Sequence, residues 1–98
     1  MNIKSIEKRV NAGVRWLDKN RKGWLGRINL RKLDLGNRDT CIIGELDGDY
    51  SDTFSGEKEE KAIKLGFNTE NDKEFSVLTQ VWFKKIIDLR LKKGIKII

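Results

Sequence analysis

The sequence predicts a small all-α domain of four or five helices, in which two short central helices lie between a longer N-terminal and a longer C-terminal helix. Two stretches, residues 5–20 and 73–92, carry apolar residues at spacings of three and four, the pattern of a helix with one buried face. No stretch of useful length alternates as a strand does. At 98 residues the chain has the size of one domain, so we expect residues 1–98 to share a single core.

The N-terminal helix is expected from about Ser5, which is a suitable N-cap, to Asn20. Lys22 and Gly23 then end it. Trp16 falls beside the apolar stripe, and we interpret it as a core residue; the alternative is a platform on which a base stacks. The stripe consists of Ile3, Ile6, Val10, Gly13, Val14 and Leu17.

Residues 23–28 are expected to form a tight connection with at most one helical turn. Trp24, which stands between glycines, either pins this connection to the core, which we favour, or lines a pocket beside Arg27 and Arg31. Asn29 is then expected to cap a short helix or 3₁₀ turn. The leucines of this stretch should fill the core; they are Leu30, Leu33 and Leu35.

The central segment, residues 41–50, runs from apolar to acidic and is expected to be a short, buried helix. Thr40 or Asp39 is the predicted N-cap. Gly44 and Gly48 lie four residues apart on the side that carries the apolar residues, so we expect another element to approach closely there.

The C-terminal half is expected to contain a short helix over residues 57–65, ended by Gly66, and the longest apolar stripe of the chain. Asn71 or Asp72 is the predicted cap of this last helix, which should run from about residue 73 to 92. Its stripe consists of Phe75, Leu78, Trp82, Ile86 and Leu89, widened by Val81, Phe83 and Ile87.

That stripe is wider than one face of a small domain needs, so part of it is a candidate subunit interface. Gly94 is expected to end the helix and to leave an apolar tail at residues 95–98. The tail either docks on the core or pairs with another chain. A homo-oligomer is therefore one of the expected states.

The composition excludes several classes of active site. The chain has no histidine and one cysteine, so it contains no Ser-His-Asp triad, no Cys-His dyad, no zinc site and no intramolecular disulfide. It also lacks a glycine-rich phosphate loop and any motif that places a nucleophile. We therefore predict a protein that is not an enzyme and has no cofactor and no metal. Neither a leader nor an apolar run of about 18 residues occurs, so we expect no membrane partner and a cytoplasmic location.

Charge is distributed unevenly along the chain. Residues 1–38 have eleven Lys and Arg against three acids, residues 39–60 have one against eight, and residues 61–98 have nine against four. Two basic arms thus flank an acidic centre. Such arms attract phosphate in a nucleotide, a nucleic acid or an anionic protein, or they merely solvate the surface.

Short residue groups follow one another in a particular order and spacing over most of the chain. They are Gly13, Trp16-Leu17-Asp18, Gly23-Trp24, Ile28-Asn29-Leu30, Leu33-Asp34-Leu35, Cys41-x-x-Gly44, Gly48-x-Tyr50, Leu65-Gly66-Phe67 and Leu78-x-x-x-Trp82. This order resembles a largely uncharacterised group of small proteins encoded by tailed bacteriophages and prophages. The resemblance implies a viral accessory protein that acts in the host cytoplasm. Glu45 departs from the pattern, in which Gln is expected.

These features together favour a non-enzymatic inhibitor of a host system such as antiviral defence. It would capture an anionic nucleotide signal in a basic pocket, or block a host protein directly. In the first case an indole ring stacks on the base and a guanidinium group binds phosphate. The candidate ligand-binding residues are Trp16, Trp24, Arg27, Arg31 and Tyr50.

Two other functions are compatible with the sequence. One is a nucleic-acid-binding regulator, but the helix expected near Leu30 is too short to be a recognition helix, and the acidic centre interrupts a continuous basic face. The other is an oligomeric virion component. The residues expected on phosphates in the regulator are Lys8, Arg9, Arg15, Arg31 and Lys32.

Overall fold

The computed structural model describes residues 3–48, 50–54 and 58–96, and in this part of the chain it contains helices and no strand. The two long helices are α1 (Ile3–Asn20) and α6 (Phe75–Lys93), as predicted. Short helices lie between them: α2 (Trp24–Arg27), α3 (Ile42–Asp47), α4 (Tyr50–Thr53) and α5 (Glu59–Lys64). A 3₁₀ turn, Asp72–Glu74, leads into α6. The predicted all-α architecture is confirmed.

Helix α1 buries the face that its apolar spacing predicts, with Ile6, Val10, Gly13 and Leu17 inside. It begins at Ile3, so Ser5 lies within its first turn and the N-cap predicted at Ser5 is wrong. At the other end the side-chain amide of Asn20 donates to the carbonyl of Trp16 at 2.8 Å. Gly23, with φ 79°, then reverses the chain at no steric cost.

The connection after α1 contains one helical turn, α2, as predicted. Of the two forms expected after Asn29, the structure has a single turn and not a short helix. The side chain of Asn29 instead accepts from the Arg31 N–H at 3.0 Å, and its carbonyl accepts from the Lys32 N–H at 3.1 Å. The first bond is the one that an N-cap side chain makes, and the second is the i to i+3 bond of a single turn. The leucines of this turn are buried as predicted: Leu30, Leu33 and Leu35.

Helix α3 is short and buried, as predicted, but its cap is Cys41 rather than Thr40 or Asp39. The sulfur of Cys41 accepts a hydrogen bond from the N–H of Gly44 at 3.2 Å. The thiol therefore fills the place that a Ser or Asp oxygen usually takes. Sulfur is a weak hydrogen-bond acceptor, so residue type alone favours Thr40 or Asp39 over Cys41 as the cap.

Gly44 is the glycine at which the backbone passes closely. A Cβ atom there would overlap the carbonyl oxygen of Arg38. At Gly48 no described residue lies within 4 Å of an added Cβ, and Gly48, with φ 89°, ends α3. The predicted close approach therefore occurs at Gly44 and not at Gly48. A second close approach occurs at Gly13, where a Cβ would overlap the carbonyl oxygen of Leu65.

Helix α6 is preceded by Asn71, whose side chain accepts from the Lys73 N–H at 3.0 Å. Its buried residues are Leu78, Trp82, Ile86 and Arg90. Gly94, with φ 70°, ends the helix, as predicted, and Ile95 packs partly buried against the core. Residues 97 and 98 of the predicted apolar tail lie outside the described residues.

The core is organised around aromatic rings. Phe67 stacks on Trp82 at 5.6 Å between ring centroids, and Trp24 meets Trp82 edge-on at 6.2 Å. Phe67 also lies 5.7 Å from Phe54, which in turn lies 6.0 Å from Tyr50. Rings of this size bury large apolar areas, so they dominate the energetics of a small core. The series ends at Tyr50, which is half-buried at the surface.

Candidate ligand-binding cleft

Trp24 holds its loop on the core, the role that we favour from the sequence. Its side chain is 2% exposed, and its indole N–H donates to Asp18 at 2.8 Å. Trp24 borders a hollow together with Lys22 and Lys93, but at 2% exposure it offers almost no surface to a ligand there. The loop between α1 and α2 is fixed by this contact.

Trp16 is half-buried, and its ring packs against Phe54 and Phe67 at centroid distances of 5.5 and 5.7 Å. The guanidinium carbon of Arg21 lies 5.1 Å from its centroid, a cation–π contact. Arg21 is itself held by two hydrogen bonds to Asp47, at 2.8 and 2.9 Å. The ring that we expected as an alternative stacking platform thus already has a cation on it.

Among the described residues, neither Arg27 nor Arg31 forms a hydrogen bond or a cation–π contact with these indoles. Arg27 donates to the carbonyl of Leu46 at 3.1 Å. Arg31 lies at a hollow of about 540 Å³ together with Arg90 and Lys96, and none of the described residues that line it is aromatic. The structure therefore does not bring together the ring and the guanidinium that the sequence-based hypothesis combined.

Tyr50 lies in a different cleft, of about 350 Å³. The cleft has an apolar inner wall and a polar rim. Two half-buried aromatic rings, those of Tyr50 and Phe75, also line it. We refer to it as the Tyr50 cleft. The inner wall consists of Leu35, Cys41, Phe54 and Phe67, and the rim of Gly36, Asn37, Arg38, Glu59 and Asn68.

One side of the Tyr50 cleft is organised by Asn68. Its side-chain N–H donates to the Tyr50 hydroxyl at 3.0 Å and to the Glu59 carboxylate at 3.3 Å. Its oxygen accepts from the Thr69 N–H at 2.8 Å, which fixes the orientation of the amide. Burial raises the pKa of the Tyr50 hydroxyl above its ordinary value, so the phenol stays neutral at physiological pH.

The other side is the turn that precedes α3. The Asn37 side-chain oxygen accepts from the N–H groups of Asp39 and Thr40, at 2.9 and 3.3 Å, and the Asn37 carbonyl accepts from the Cys41 N–H at 2.9 Å. These bonds hold the turn in one conformation. They place Arg38, which is exposed, at the rim of the cleft.

Cys41 lies on the inner wall with its side chain 2% exposed. Burial raises the pKa of its thiol, so the neutral thiol is the dominant form at pH 7. Its sulfur is also engaged as the cap of α3. These properties are those of a structural cysteine and not of a nucleophile.

Comparisons with protein families, curated proteins and solved structures give no match. In residues 3–48, 50–54 and 58–96, no group of three or more acidic or Cys side chains is placed to hold a metal ion. None of the helices in this part of the chain is long and apolar enough to cross a bilayer.

The sequence pointed to Tyr50 as a candidate, but not to Asn37, Arg38 or Asn68. The last two meet at one cleft although 30 positions separate them along the chain. Each lies in a polar turn, and such turns are ordinarily solvated. Only the packing of the turn before α3 against the turn after α5 gives them a common site.

Proposed function

We propose that the protein is a non-enzymatic binding protein that captures a small anionic ligand of the nucleotide class in the Tyr50 cleft. The observation that carries the proposal is the combination, at one concave site, of the half-buried rings of Tyr50 and Phe75 with the cation of Arg38. Ligand sites are typically concave, apolar inside and furnished with a few fixed polar groups. The volume of about 350 Å³ lies within the range of such sites, at its lower end.

Each part of a nucleotide has a counterpart at this cleft. A base stacks on the ring of Tyr50 or Phe75, a contact worth about 1–3 kcal/mol per base. A phosphate pairs with the guanidinium of Arg38, which presents donors in a planar fork. The carboxylate of Glu59 accepts hydrogen bonds from a base amino group or a ribose hydroxyl.

Capture without chemistry agrees with the side chains that are present. The chain has no histidine, and the Cys41 thiol is buried and neutral. In this proposal the protein withdraws a nucleotide signal from solution and so disarms a host defence that depends on it. That biological setting, in the host cytoplasm, rests on the resemblance to phage accessory proteins.

Nucleotide capture is favoured over the nucleic-acid-binding alternative by the state of the basic residues. Arg9 is one of the residues expected to bind backbone phosphates, but it forms an ion pair with Glu74 at 3.3 Å. Part of the positive charge available for nucleic acid is therefore already compensated. The segment after Asn29 is a turn and provides no recognition helix. Direct blocking of a host protein remains the alternative if the cleft binds no small molecule.

The test is calorimetric titration of the purified protein with nucleoside mono-, di- and triphosphates and cyclic nucleotides. We expect saturable binding of at least one of them. Arg38→Gln should weaken it at least about tenfold, because it removes the charge-assisted contact. Tyr50→Leu should weaken it further by removing the ring, whereas Tyr50→Phe should keep most of the affinity.

Arg31→Gln is the matched control, because it removes the same charge from the separate hollow. It should leave the affinity unchanged. An equal loss with Arg31→Gln and Arg38→Gln would place the ligand elsewhere. Failure of every nucleotide to bind, together with DNA binding that falls steeply with salt, would replace the proposal by the nucleic-acid regulator.

A further inference from the structure

Helix α6 has a second apolar stripe besides the one that it buries. Phe83, Ile87 and Leu91 follow one another at a spacing of four residues and so lie along one side of the helix. Phe83 is 38% exposed and Leu91 is 61% exposed, and Ile87 between them is half-buried. The stripe extends over about 12 Å, given a rise of about 1.5 Å per residue.

Two opposite charges lie on the same side of this stripe. Lys84 follows Phe83 and Asp88 follows Ile87, one helical turn apart, and both are exposed. Among the described residues neither takes part in an ion pair. Exposed apolar patches with a polar rim mark surfaces that bind a partner.

We propose that this side of α6 is the surface on which a second copy of the chain binds, with the two α6 helices antiparallel. A two-fold axis near Ile87 sets Phe83 of one copy against Leu91 of the second copy. The same axis brings Lys84 of one copy to Asp88 of the second copy, and Asp88 to its Lys84. Closed dimers of this kind use one self-complementary patch on both subunits.

The charge pattern favours a second copy over a partner whose charges are all of one sign. A partner helix with charges of one sign would match either Lys84 or Asp88 and leave the other facing a like charge. The antiparallel copy places an opposite charge beside both Lys84 and Asp88, and the two-fold axis makes this pair occur twice. Phe83, Ile87 and Leu91 do not line the Tyr50 cleft, so the dimer leaves that cleft accessible. The inference is therefore independent of the proposed function.

The test is the mass in solution, measured by light scattering and sedimentation from micromolar concentrations up to about 1 mM. The wild-type protein should have twice the 11.4 kDa mass of the chain. Lys84→Glu and Asp88→Lys, each alone, should weaken the dimer about 100-fold or more, since each sets like charges opposite one another. The double variant with both changes should dimerise again, because the charges are exchanged and complementary.

Lys32→Glu, at an exposed position in the turn that follows Asn29, is the matched control and should stay dimeric. Leu91→Glu should be monomeric and remain folded by circular dichroism, because the side chain that it replaces is exposed. A wild-type protein that is monomeric at every concentration would overturn the inference. So would a folded double variant that stays monomeric, because this outcome contradicts the antiparallel register.

Discussion

Trp82 donates its indole N–H to the carbonyl oxygen of Gly66 at 2.6 Å, and both residues are buried. The bond joins the middle of α6 to the turn that ends α5. The same turn places Phe67 flat against the indole. Gly66 has φ 74° and lies against the backbone of α1, where a Cβ would be 3.0 Å from Val10 N. Three elements of the fold therefore meet at this contact.

Trp82→Phe should destabilise the protein strongly. It leaves the Gly66 carbonyl buried without its donor, at a cost of about 1–3 kcal/mol, and it adds a cavity because Phe is smaller. The measurement is urea unfolding followed by circular dichroism. Trp16→Phe is the matched control, since that indole is half-buried, and it should lower the midpoint less. Equal shifts of the two midpoints would contradict the role assigned to Trp82.

Gly44→Ala should also destabilise the protein, because the new methyl group overlaps the carbonyl oxygen of Arg38 and the backbone must move. Overpacking of this kind costs about 1–3 kcal/mol. Gly26→Ala is the control, because in the part of the chain that the structure describes no other residue comes within 4 Å of its added Cβ. Since Gly26 lies in α2, alanine there should be neutral or stabilising by up to about 1 kcal/mol.

Both variants are compared by thermal unfolding. If Gly44→Ala melted at a higher temperature than Gly26→Ala, the close packing at Gly44 would be contradicted. Because Gly44 lies in the helix that follows the Arg38 turn, Gly44→Ala should also lower the affinity of the Tyr50 cleft for its ligand. Gly26→Ala should leave that affinity unchanged.

The architecture was predictable from the sequence because the long helices carry clear periodic stripes with glycine stops, as at Gly23 and Gly94. The caps were less predictable, since hydrogen bonds over two or three residues decide between neighbouring candidates. Cys41 caps α3 although Thr40 and Asp39 are the better cap formers. Of the residues that line the cleft, only Tyr50 was predicted from the sequence. The polar residues of its rim come together through packing between distant segments, which local sequence does not show.

Arg90 in α6 is a further residue whose position could not be predicted from local sequence. The stripe predicted Leu89 on the buried face, but Arg90 is 4% exposed and Leu89 is half-buried. The guanidinium of Arg90 donates to the carbonyls of Leu25 at 2.9 Å and Ile28 at 2.6 Å. These carbonyls are left without helical partners because α2 is only one turn long. The carbonyls that require a buried cation therefore lie more than 60 positions before Arg90 in the sequence.

Arg90→Met should consequently destabilise the fold, although it replaces a charged residue by an apolar one of similar length. Two buried carbonyls lose their donors, each at a cost of about 1–3 kcal/mol. Arg90→Lys should recover only part of the loss, since an ammonium group lacks the planar fork that reaches both oxygens. Both are measured by urea unfolding at pH 7. A Met variant as stable as the wild type would show that the two bonds contribute nothing net.

Asp47 makes the stability depend on pH. Its carboxylate accepts two hydrogen bonds from Arg21 and one from Thr53, and the bonds from Arg21 are the largest cause of a pKa below its ordinary value of 3.8. The folded state thus holds the proton less tightly than the unfolded state does. The resulting stabilisation is complete above pH 3.8 and is lost as the pH falls through the lower pKa of the folded protein.

Asp47→Asn should therefore lower the melting temperature at pH 7 and bring it closer to that of the wild type as the pH falls below 3.8. The variant still loses some stability in acid, because a hydrogen bond from Thr69, assisted by Arg9, also lowers the pKa of Glu74. Asp39→Asn, at an exposed position, is the matched control and should follow the wild-type curve. The measurement is thermal unfolding between pH 7 and about pH 2. If the Asp47→Asn and wild-type curves stay parallel throughout, the bonds from Arg21 do not hold that carboxylate in its charged form.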